Sequence, residues 1–89
     1  MEYEYVYVIE KTVYNKIDGK MVDNILDWRI MYIFKSEFWA NQKFESLKYN
    51  LDATEIPSPL KHRRGMMYES NVDVTFIELH VFPLDSRSA

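Results

Sequence analysis

Residues 3–14 alternate large apolar and polar or smaller positions, with tyrosine and valine prominent, which is the period of a β-strand. Asp18 and Gly19 follow, a pair suited to the positive φ angles of a two-residue type I′ turn. A second apolar stretch over residues 21–34 then predicts a returning strand, and the two make a hairpin over residues 3–34. Pairing outward from a two-residue turn sets Ile9 opposite Trp28, Tyr7 opposite Ile30, Tyr5 opposite Tyr32 and Tyr3 opposite Phe34. Opposite residues share a face, so this register makes one face wholly apolar and mostly aromatic. A slip by one residue would instead group Tyr5 and Tyr7 with Met31 and Ile33, and Val6 and Val8 with Ile30 and Tyr32. The two-residue register is preferred because it gathers the largest side chains. Both arms are long for globular strands, so a bulge is expected within residues 24–27.

The period then changes. Ser36 is placed to cap a helix, Glu37 sits where the helix dipole favours a negative charge, and the helix is expected to reach about Asn50. Ala40, Phe44, Leu47 and Leu51 recur at helical spacing and form the stripe that packs on the hairpin. Phe38, Gln42, Glu45 and Tyr49 fall on the opposite side, and Trp39 is assigned to the core edge. Pro57, Ser58 and Pro59 mark residues 52–60 as an extended connection. Strands are predicted over residues 63–69 and 73–82, joined by a turn at Ser70 and Asn71. In the last strand Thr75, Ile77, Leu79 and Val81 share one face, and Val74, Phe76, Glu78, His80 and Phe82 the other. One of Met66 and Met67 is expected in the core. Pro83 is expected to end the strand, leaving residues 83–89 as a loose tail.

The pattern defines one small α+β domain over residues 1–89: ββαββ, an antiparallel sheet of two hairpins with one helix packed on one face. One helix cannot cover both faces of such a sheet. Val6, Val8, Met31, Ile33, Val74, Phe76 and Phe82 are expected on the uncovered side, with residues 52–60 shielding part of it.

Composition adds limits. The chain has 89 residues, 47 % hydrophobic and 28 % charged, which fits a folded domain with one modest core. It contains no cysteine, which excludes disulfides and thiolate metal sites, and it opens without the basic segment of a signal peptide. A cytoplasmic, membrane-free location is expected. The formal charge of −3 gives no broad basic footprint for nucleic acid.

Three constellations carry possible chemistry. Lys61, His62, Arg63 and Arg64 form a basic cluster that could meet phosphates or an acidic protein patch. Glu78 and His80 share a strand face, and Glu10 is a further carboxylate that could join them in acid–base or metal chemistry. Glu10 and Asp27 face each other in the preferred register, with Arg29 beside them. Phe38, Tyr49 and Phe76 are aromatics left pointing away from the core, the residue type enriched at protein interfaces. No HExxH, phosphate-binding loop or nucleophile elbow occurs.

The expectation is a non-enzymatic protein-interaction module, an inhibitor or accessory factor of the kind carried by phages and mobile elements, with a homodimer as one possible form. The contact residues expected are Phe38, Tyr49, Lys61, His62, Arg63, Arg64 and Phe76, with no cofactor or metal required. The alternatives are a nucleic-acid-binding domain using the basic cluster, and a small enzyme or metal protein using Glu78 and His80.

Overall fold

A computed structural model of the chain describes residues 4–58 and 63–84. Strands β1 (Glu4–Ile17) and β2 (Lys20–Phe34) form the long hairpin, and helix α1 (Glu37–Leu51) follows. Strands β3 (Thr54–Ile56), β4 (Arg64–Glu69) and β5 (Asp73–Leu84) complete an open antiparallel sheet of order β2-β1-β5-β4-β3. The chain is an α+β domain with ββαβββ element order. The short β3, within residues expected to be a plain connection, joins the second hairpin at the far edge.

The turn forms at Asp18 and Gly19, both at positive φ. Ile17 pairs with Lys20 and Lys16 with Met21, as a two-residue turn requires. Farther out, the expected register fails. Two extra residues enter β2 between Met21 and Ile25, and Leu26 and Met31 each add one more, so Trp28 faces Thr12, Ile30 faces Glu10, Tyr32 faces Ile9 and Phe34 faces Tyr7. Each single insertion exchanges the two faces of the strand beyond it. Tyr7, Ile9, Tyr32 and Phe34 therefore meet on the helix side as expected, whereas Trp28 and Ile30 emerge on the opposite side. Met31 packs against the core instead of the uncovered face. Tyr3 lies outside the described residues.

The Ser36 hydroxyl accepts from the Trp39 amide and caps α1. At the other end Asp52 adopts the left-handed conformation, its N–H donating to Tyr49 O while the Ala53 N–H donates to Lys48 O. This paired closure satisfies the last carbonyls and reverses the chain straight into β3. Ala40 and Phe44 are fully buried against Ile9, Met66, Ile77 and Leu79, with Leu47 and Leu51 at the margin. Burial of the Phe44, Ile9, Met66, Ile77 and Leu79 side chains stabilises the fold by about 1.5–3 kcal/mol each.

β5 runs through Pro83 to Leu84 instead of stopping at the proline. Pro83 is paired with Tyr5 on the β1 side, and β4 reaches only as far as Leu79, so the ring lies where β5 has no described neighbour on its other side. The remainder of the expected tail, residues 85–89, lies outside the described residues. Ser70 forms the β4–β5 turn, its hydroxyl accepting from the Val72 and Asp73 amides. Lys16 ties the hairpin to that turn: its backbone N–H donates to Val72 O, and its Nζ donates to Glu69 and to Ser70 O.

Candidate functional site

The basic cluster divides. Lys61 and His62 lie outside the described residues. Arg63 is exposed. Arg64 opens β4 on the helix side, and its side chain is spent inside the fold. Its guanidinium makes a two-pronged contact with Glu55 of β3, at 3.0 Å from Nε and 2.8 Å from Nη2. It also donates to Asn41 and Glu45 of α1 and lies 4.4 Å from the Phe44 ring centroid. Lys48 joins through Glu55 and Glu45. Hydrogen bonds from Arg64 pull the Glu55 carboxyl down to about 2 against the opposing effect of burial, and Lys48 adds to the shift. The Glu45 carboxyl is lowered for the same first reason. Arg64 is thus a clasp between helix and sheet, and Arg63 is the one described member of the cluster left facing outward.

The helix aromatics are outward, as the periodicity expected. Phe38 is exposed, and Tyr49 is 87 % exposed. Trp39 is exposed too, lying edge-on to Phe38 with ring centroids 5.0 Å apart, so it does not close the core edge.

The largest apolar display is on the sheet. α1 covers one face; on the other, Ile25, Trp28, Ile30 and Ile33 of β2 and Phe82 of β5 stand exposed, with Ile33 at 62 %. Phe76 lies half-buried on this face, edge-on to Tyr14 at 5.7 Å. Two hollows of about 290 and 530 Å³ meet at Phe76 and Glu78. Ile56, Pro57 and Ser58, the last described residues of the connection, border the smaller.

A polar group interrupts this face. Glu10 of β1 and Glu78 of β5 are direct register partners, and His80 lies two residues along β5 on the same side. His80 Nε2 is 2.7 Å from Glu10 Oε1 and 3.5 Å from Glu78 Oε2. The Trp28 indole N–H donates to the other Glu10 oxygen at 3.2 Å. Asp27 is on the opposite face, opposite Val13 and paired with Arg29, so the expected grouping of Glu10 with Asp27 and Arg29 does not form. Only the β1–β5 pairing brings Glu10 to Glu78 and His80. Trp28 and Ile30 reach this surface through the bulge at Leu26, inside the expected 24–27 window, and the unannounced bulge at Met31 keeps Tyr32 and Phe34 on the helix side.

No family model, curated protein or solved structure matches the chain. No helix among the described residues is long and apolar enough to cross a membrane.

Proposed function

We propose that the chain is a non-enzymatic protein-interaction module that binds a partner through the uncovered face of its sheet. The observation supporting this reading is the row of Ile25, Trp28, Ile30 and Ile33, exposed along one side of β2 and continued across the sheet by Phe82. Water around such a surface favours its burial against another apolar surface, and contiguous patches of this kind mark association sites. Trp28 is the natural anchor, being large, rigid and held by its hydrogen bond to Glu10. The helix aromatics Phe38 and Trp39 offer a smaller second contact on the other side of the molecule.

Size-exclusion chromatography with light scattering, followed by capture of partners with a photo-cross-linker placed at Ile33, tests this reading. The expected result is an assembly of two copies or a specific cross-linked partner, lost in Ile30→Lys and Phe82→Lys while the far-UV spectrum is retained. A monomer that cross-links to nothing would overturn it, as would an assembly that both substitutions leave intact.

A further inference from the structure

We propose that Glu10, Glu78 and His80 bind a divalent transition-metal ion of the zinc class on the open sheet face. The three side chains come from two adjacent, hydrogen-bonded strands, so the sheet ladder holds their backbones in place. One ligand atom from each lies within 4.8 Å of the others. Two ligands bound to one ion at about 2.1 Å stand roughly 3–3.5 Å apart at octahedral to tetrahedral angles. The imidazole-to-carboxylate separations of 2.7 and 3.5 Å bracket that range. Small side-chain adjustments suffice to close the set around an ion.

His80 Nε2 supplies a second, independent indication. The atom is sealed from solvent and makes no aligned hydrogen bond, although Glu10 Oε1 is at ion-pair distance. A buried ring nitrogen left this way carries a free-energy cost that coordination removes. Charge points the same way. Two carboxylates converge here, and no lysine or arginine among the described residues forms an ion pair with either of them. Arg63 lines the same hollow as Glu78 without pairing to it. A single proton on His80 offsets one negative charge, and a divalent ion offsets both.

The donor set selects the ion. One imidazole with two carboxylates suits zinc, manganese, cobalt or nickel, while the chain has no thiolate for softer metals. Trp28 acts as a positioning residue, because its N–H occupies one Glu10 oxygen and leaves the other free for the ion. Three protein ligands leave a position for water or for a donor from a bound molecule.

Isothermal titration of the full chain with Zn²⁺, with Co²⁺ absorption as a coordination readout, tests the site. One ion per chain is expected. His80→Ala and Glu78→Gln should each weaken binding by more than about tenfold, and Trp28→Phe by about tenfold, reflecting the lost second-sphere contact. Glu78 is partly exposed, so Glu78→Gln keeps the test decisive if His80→Ala disturbs the fold. Absence of Zn²⁺ and Co²⁺ binding, or binding that His80→Ala and Glu78→Gln leave unchanged, would overturn the proposal. The site lies within the face proposed for partner binding, and Ile25→Lys, toward the turn end of β2, separates the two readings: it should weaken association and leave the ion stoichiometry intact.

Discussion

Arg64→Met tests whether the clasp between α1 and the sheet stabilises the fold. The substitution keeps an unbranched apolar stem against Phe44 and removes the charge. Taken as a dry pair, the drop of the Glu55 carboxyl from 4.5 to about 2 would correspond to about 3 kcal/mol. With 37 % of the Glu55 side chain exposed, solvent screening reduces this to about 1 kcal/mol. Loss of the guanidinium–ring contact and the Asn41 hydrogen bond adds about 1 kcal/mol more. The expected destabilisation is roughly 2 kcal/mol, or about 8–16 °C in Tm for a domain of this size. Urea unfolding of wild type, Arg64→Met, Glu55→Gln and the double variant isolates the pair, with an expected coupling of about 1 kcal/mol. Because the folded Glu55 carboxyl titrates below its unfolded value, its contribution is complete above about pH 4.5 and disappears as the pH falls toward 2. Wild type should lose that stability across this window, and Arg64→Met should lose less of it, since only Lys48 then holds the Glu55 carboxylate. Additive single substitutions together with parallel pH curves would refute the clasp.

Phe44→Ala should cost about 3–5 kcal/mol in urea unfolding, because Phe44 is the fully buried aromatic joining helix to sheet. Gly19→Ala should lower stability by about 1–2 kcal/mol through its positive φ alone, since a Cβ there would meet no atom within 4 Å. Asp52→Gly should act in the opposite sense, raising thermal stability by about 0.5–1 kcal/mol at the left-handed residue that ends α1. Ser36→Ala should cost about 1 kcal/mol by freeing the Trp39 amide, measurable as a loss of helical signal on heating.

The elements whose signals are local were legible in the chain. Asp18 and Gly19 specify a turn, Ser36 specifies a cap, and the Ala40, Phe44, Leu47 and Leu51 spacing specifies the buried helix face. The alternation in β5 likewise separates Ile77 and Leu79 from Glu78 and His80. The features that escaped depend on distant partners. The length of the arms calls for a bulge within residues 24–27, and Leu26 supplies it, carrying Trp28 and Ile30 to the other side of the sheet, whereas nothing announces the second bulge at Met31 that returns Tyr32 and Phe34 to the helix side. β3 is too short for periodicity to reveal and follows from the chain reversal at Asp52. Arg64 reads as a free surface charge until Glu55 and Glu45 are brought beside it. Glu10 meets His80 only because opposite ends of the chain form neighbouring strands.

The irregularities of β2 also bear on solubility. Among the described residues this strand is a border of the sheet, rich in apolar side chains, and a straight border of that kind invites copy after copy to add on. Leu26 and Met31 cut it into pieces, and the regular run between them, residues 27–30, spans only about 13 Å. An incoming strand finds too few consecutive backbone groups for a long zipper, so growth into filaments is checked while the broad face nearby stays available. Straightening β2 by deleting Leu26 and Met31 together would remove that check, converting a chain suited to defined contacts into one disposed to polymerise.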